Sequence, residues 1–112
     1  MLKQNVLRNK KDFSTIYNKG KSFGGKYVVL FVRRNSLSYN RLGFLASKKV
    51  GNSVLRNRSR RLMKESYRLL EPKIGTGYDL IFIARNTING VKNAEVLKCI
   101  EFLTNRAGIL KK

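Results

Sequence analysis

The segment SKKVGNSVLRNRSRRLMKESYRLLEPKIGTGYDLIFIAR, residues 47–85, changes its hydrophobic period once, and the architecture follows from that change. Over residues 53–70 the apolar side chains recur at helical spacing. At 100° per residue Leu55, Leu62, Met63, Leu69 and Leu70 fall within an arc of about 120°, with Ser59 and Ser66 among them. The spacing predicts an amphipathic helix with that arc buried. Pro72 ends it, because proline has no amide to donate and its ring clashes with the turn before it. Gly75-Thr76-Gly77 makes a turn and lacks the Lys-Ser/Thr ending of a phosphate-binding P-loop. Tyr78 to Arg85 is then a continuous apolar run of central-strand type.

Upstream, RLGFLAS from Arg41 to Ser47 reads as a strand. KYVVLFVRRN before it reads as another, with Tyr27, Val29 and Phe31 on one face and Val28, Leu30 and Val32 on the other, so both faces need cover. SLSYN between the two is a turn, and the simplest pairing is a hairpin. Nearer the start, NKKDFSTIYNKG predicts a short helix: Asn9 as N-cap with Asp12 as its return partner, Phe13, Ile16 and Tyr17 at helical spacing, and Gly20 as the stop. After the central strand NTINGVKN is a loop. A last helix runs from about Ala94, capped by Asn93, and buries Val96, Ile100, Leu103 and Ala107. The order helix-strand-strand-helix-strand-helix predicts an α+β two-layer sandwich. Its 112 residues, free of repeats and linkers, suit a single domain, residues 1–112, with one modest core.

Composition bounds the function. Lys and Arg number 25 against six acids, a net charge of +19 that is costly in self-repulsion and calls for a polyanionic partner, nucleic acid first. A membrane is disfavoured, since no apolar run approaches the roughly 18 residues of a spanning helix and the basic helix has no broad aromatic face to insert. The sequence has no His and a single Cys, Cys99, so it forms no internal disulfide, and we expect no disulfide-linked partner, no His-ligated zinc and no Cys/His nucleophile pair. None of the six acids, Asp12, Glu65, Glu71, Asp79, Glu95 and Glu101, stands at a spacing suited to metal binding or acid-base work, so no catalytic residue is assigned. MLKQNVLRNKKDF has no apolar core of a secretion signal, which makes the cytoplasm the expected compartment. The basic ends, Lys3 to Lys11 and Lys111 with Lys112, read as solvated termini.

The charge is concentrated on the predicted helix. Residues 47–68 carry eight Lys or Arg and one acid, Glu65. Arg60, Lys64, Asn57, Arg68 and Arg61 fall within an arc of about 100° opposite the apolar one, and Arg56 and Arg58 stand at the two borders of the apolar face. Solvated helix faces usually alternate in sign, and this one does not. The helix N-terminus, already partly positive, has no carboxylate in its first turn and is flanked by Lys48 and Lys49, an arrangement that a bound phosphate would relieve. Gly51 beside it would allow a backbone or a phosphate to approach closely.

KKVGNSVLRNRSRRLMKE, centred on the triplet Arg56-Asn57-Arg58, resembles the signature of the protein component of bacterial ribonuclease P. DFSTIYNKGKS, VVLFV, RLGFLASKK and YDLIFIARN extend the resemblance over nearly the whole chain. Two positions depart from the family pattern: Ser53, commonly Ala, and Ser59, commonly aliphatic. The resemblance implies a mixed sheet with a left-handed βαβ crossover. It implies a non-catalytic subunit whose partners are ribonuclease P RNA and the 5′ leader of precursor tRNA, with Mg²⁺ required by the RNA and no cofactor bound by protein residues alone. It also implies that Lys48, Lys49, Asn52, Arg56, Asn57, Arg58, Arg60, Arg61, Lys64 and Arg68 face the catalytic RNA, and that Phe13, Tyr17 and Phe31 line a cleft for the leader. On periodicity alone these three aromatics read as core. A ribosomal protein or RNA chaperone would share the charge, and a DNA-bending protein or a protein-only nuclease would need wedge residues or clustered carboxylates that the sequence lacks.

Overall fold

Leu80, Ile81 and Phe82 are fully buried, and the sheet is built around the strand that carries them. The computed structural model describes residues 5–111, so Lys3 and Lys112 of the basic ends lie outside it. The elements are α1 (Lys10–Lys19), β1 (Lys21–Gly24), β2 (Val28–Arg34), β3 (Arg41–Ala46), α2 (Ser53–Leu70), β4 (Tyr78–Ala84) and α3 (Asn93–Arg106). A 3-10 turn, Glu71–Lys73, holds Pro72 at the end of α2, and another, Asn86–Ile88, follows β4.

The sheet order is β1-β2-β4-β3. β4 lies antiparallel to β2, pairing Leu30 with Phe82, and parallel to β3, pairing Leu42 with Leu80. The expected hairpin between the second and third of these strands is therefore not formed: β4 inserts between them. A strand apolar on both faces loses most by standing at an edge, and the central position covers both of its sides. β3, α2 and β4 form a βαβ crossover between parallel neighbours, the unit the resemblance implied. β1 was not foreseen. It is a four-residue edge strand antiparallel to β2, with only Phe23 half-buried, too short to leave a hydrophobic period.

Alternation along the strands gives the sheet two apolar faces. On one, Val28, Leu30, Leu42, Leu80 and Phe82 pack against Met63 and Tyr67 of α2 and Ile100 and Leu103 of α3. On the other, Ile81 packs against Ile16 of α1 and Leu7, while Phe31, Leu45 and Ile83 stay partly covered. α1 thus shields only part of its face.

The helix readings hold with local corrections. Asn9 caps α1 by accepting from the Lys11 amide at 2.9 Å, but Asp12 turns away from the cap to Arg41, 3.4 Å distant. In α2 Leu69 is 52% exposed, and Tyr67 is buried in its place. The buried stripe is rotated by roughly 30° towards Tyr67, because that ring has Phe44 and Phe82 to pack on, with centroids 6.2 and 5.8 Å away. α3 begins at Asn93 itself, so Asn93 is not its cap; Lys92 holds that position without a side-chain bond, and Ala107 ends the helix half-buried.

Candidate nucleic-acid interface

α2 begins where its cap dictates. Asn52 is extended, with φ −71° and ψ 178°, and its Oδ1 accepts from the Leu55 amide at 3.0 Å. One side-chain oxygen of this predicted RNA-facing residue is thus committed to the helix, and its amide nitrogen remains for a ligand. Before it, Val50 donates to the Ser47 carbonyl at 3.0 Å and Gly51 to the Lys48 carbonyl at 3.1 Å, a tight turn that leaves Lys48 and Lys49 exposed. Gly51 has φ +139°, and a Cβ there would lie 2.5 Å from Leu55 Cδ1. Its freedom serves the turn and makes room for the Leu55 side chain.

The cationic face is real and largely unpaired. Lys48, Lys49, Asn52, Asn57, Arg61, Lys64 and Arg68 are exposed, and Arg56, Arg58 and Arg60 are half-buried. Among the described residues only Arg68 of this set has an acidic partner, donating from Nε to Glu65 at 3.1 Å. That hydrogen bond holds the Glu65 carboxyl below the usual range and raises Arg68. Arg58 is fixed by a 3.0 Å bond from Nη2 to the Val91 carbonyl, Arg60 donates to Asn57 Oδ1, and the Arg56 Nε is buried without a partner. The triplet therefore divides its work, with Arg58 anchored to the loop before α3, Asn57 oriented by Arg60 and Arg56 left unsatisfied. Ser59, the departure from the family pattern, is buried and donates back to the Leu55 carbonyl at 2.9 Å, so its hydroxyl is satisfied within the helix.

Phe13, Tyr17 and Phe31 do meet. Tyr17 stands 6.4 Å from Phe13 and 5.0 Å, edge-on, from Phe31, centroid to centroid. They are not a sealed core: Tyr17 is 39% exposed and the other two are half-buried. A groove of about 370 Å³ runs beside them, lined by Lys10, Phe13, Ser14, Tyr17, Asn18 and Leu45. An adjoining one of about 420 Å³ shares Phe13 and Leu45 and ends at Lys64 of α2. Lys64 thus belongs to the groove and to the cationic face alike. Partial burial keeps the Tyr17 phenol above its ordinary range, so at neutral pH it is a hydrogen-bond donor.

Two contributors escaped the sequence reading. Gly43 of β3 lies beneath Phe13, and a Cβ there would come within 2.9 Å of the ring; a glycine inside a strand pattern was the available signal. Arg41 grips the buried Asp79 through Nε at 2.8 Å and Nη2 at 2.7 Å, while its Nη1 reaches Asp12 of α1 at 3.4 Å. It ties α1 to the sheet and so sets one wall of the groove. Asn35 donates to the same Asp79 at 2.9 Å. No trio of His, Cys, Asp or Glu suited to a metal ion occurs among the described residues.

The family model for Ribonuclease P matches residues 1–108. The ribonuclease P protein component of Clostridium botulinum strain Langeland is 45% identical over 109 residues, 96% of this chain and 98% of that protein. The chain belongs to the ribonuclease P protein family. The corresponding protein of Alkaliphilus metalliredigens is 53% identical over 85 residues, covering 76% of this chain and 77% of its own. Among solved structures, the ribonuclease P protein of Staphylococcus aureus superposes with a TM-score of 0.86 at 29% identity, over 96% of this chain and 98% of that one. That of Thermotoga maritima gives 0.83 at 30% identity, over 90% and 96%. The α+β fold, with its mixed four-stranded sheet and three helices, is thus the fold of bacterial ribonuclease P proteins.

Proposed function

We propose that this chain is the RNA-binding protein subunit of a ribonuclease P holoenzyme, which removes the 5′ leader of precursor tRNA. One observation carries the reading: the unpaired cationic face of α2 and the aromatic groove under α1 adjoin, and Lys64 lines both. A catalytic RNA held on the first surface would hand its substrate's single strand to the second. Lys48, Lys49, Arg56, Arg60, Arg61, Lys64 and Arg68 supply phosphate contacts, with Asn52 and Asn57 offering amide hydrogen bonds. Phe13, Tyr17 and Phe31 give unpaired leader bases rings to rest on without strong sequence choice.

The chemistry belongs to the RNA. The carboxylates Asp12 and Asp79 are engaged by Arg41, and Glu65 by Arg68, so none of these is free to activate water. The described residues do not offer a metal-binding set, and the Mg²⁺ that supports hydrolysis would be held by RNA phosphates. No described helix is long and apolar enough to cross a membrane, and the reading places the holoenzyme in the cytoplasm with its tRNA substrates.

The deciding experiment is precursor-tRNA cleavage at low Mg²⁺ by a bacterial ribonuclease P RNA, with and without this protein, beside a protein-only control. The expected result is leader removal that requires the RNA and is stimulated by the protein. Tight RNA binding without stimulation would make it a general RNA-binding module, and cleavage by the protein alone would overturn the placement of the chemistry. With about six phosphates neutralised, log K should fall with log salt at a slope of roughly −4 to −5.

A further inference from the structure

A second cationic concavity lies at the opposite edge of the sheet. Between β1, the end of β2 and the last turn of α3 runs a groove of about 360 Å³. Lys19 and Lys21, on either side of Gly20, and Arg34 at the end of β2 border it, while Arg33, one residue earlier, adjoins it on the strand with its side chain alternating to the other face. No acid lines it, and among the described residues none of these four cations forms an ion pair. The placement is enforced by the backbone. A Cβ on Gly20 would lie 2.5 Å from the Ile16 carbonyl oxygen and 2.7 Å from that of Val32, so the α1–β1 corner is pressed onto β2 and carries both lysines with it. Phe23 and Tyr78, both half-buried, supply aromatic surface in the groove, and the Arg34 guanidinium stands 5.9 Å from the Tyr78 ring centroid.

Like charges gathered around one hollow repel one another, and among the described residues no acid pairs with them. A polyanion answers the charge. The aromatic surface narrows the class, because a phosphate chain with unstacked bases satisfies cations and rings together, whereas the bases of a duplex cannot turn onto them. We propose that this groove binds a single-stranded RNA segment other than the one in the α1 groove, with Lys19, Lys21 and Arg34 on its phosphates and a base against Tyr78 and Phe23. The proposal rests on the RNA-binding reading for its ligand class but on different residues. The apolar lining of this groove, Phe23, Val32, Tyr78, Ala107 and Ile109, belongs to the α2–α3 face of the sheet, whereas Phe13 and Leu45 of the α1 groove belong to the other face, so the two grooves are separate contacts. The strand comes either from the distal part of a long leader or from a loop of the catalytic RNA.

Two variants of the full chain, K21E/R34E and the milder K19A/K21A at exposed positions, test it after reconstitution with a bacterial ribonuclease P RNA. One arm measures affinity for the catalytic RNA. The other measures holoenzyme affinity for precursors with leaders of about 4 and about 12 nucleotides, sizes that bracket one single-strand site. K21E/R34E is expected to weaken binding at least about tenfold in one arm and to shallow its salt slope by about 1.4, the loss of two single-strand phosphate contacts. Loss confined to the longer leader assigns the groove to the leader, and loss in the first arm assigns it to the catalytic RNA. If K21E/R34E does not fold, K19A/K21A should show a smaller loss in the same arm. Unchanged affinities and slopes in both arms, for variants whose circular dichroism matches the parent, overturn the groove while leaving the α2 interface standing. Failure of the unmodified protein to bind either RNA would instead sink the RNA-binding reading itself.

Discussion

Arg41 is the residue on which the groove depends. It meets a carboxylate whose side chain is 1% exposed, and its second contact, to Asp12, is the polar tie between α1 and the sheet. Arg41→Ala leaves Asp79 charged and buried with only Asn35 beside it, and should cost about 3–5 kcal/mol in denaturant unfolding. A double replacement, R41L/D79L, should recover most of that, because removing both charges abandons no buried ion. Gly43 makes the complementary case. Gly43→Ala would push against the Phe13 ring from below, so precursor affinity should drop several-fold while mature tRNA and catalytic RNA bind as before. Equal losses for precursor and mature tRNA would show that Phe13 is packing only. Gly43 left only the weak signal of a glycine inside a strand pattern, and Arg41 left none. Arg41 was one arginine among many, and only the parallel register that sets it opposite Asp79 reveals its partner.

At the scale of elements, α2 shows a local rule broken. Its first turn has no acid, although a carboxylate there would interact favourably with the partial positive charge of the helix end. Ser53→Asp should therefore raise stability by about 0.5 kcal/mol in thermal or denaturant unfolding and at the same time weaken RNA binding several-fold. Opposite signs in the two measurements are the expected outcome; a gain in both would mean that the helix end is not a phosphate site. The cationic face of α2 was legible from the wheel because 3.6-residue spacing alone sorts side chains into faces. The exact burial stripe was not, since Tyr67 rather than Leu69 was chosen by rings on β3 and β4 that helical spacing cannot know about.

For the whole molecule the decisive quantity is +19. Self-repulsion on this scale should make the folded state depend on anions, and any ion that binds the native surface shifts the equilibrium towards it. Sulfate should raise the thermal midpoint, followed by circular dichroism, more than chloride does at matched ionic strength. Equal effects would indicate plain screening without anion sites. The sequence by itself determined the local and compositional facts: three helices and three of the four strands, a net charge of +19 and one cationic helix face. These follow from periodicity, capping residues and charge, which act over a few residues or over the whole composition. Only the tertiary structure decided that β4 enters between β2 and β3, that β1 closes the edge, and that Arg41 finds Asp79. It also left Phe13, Tyr17 and Phe31 as a half-open cluster rather than a core. The reason is physical: pairing order and groove shape are set by which apolar faces compete for cover, and α1 is too short to cover all of its face, so the remainder stays open.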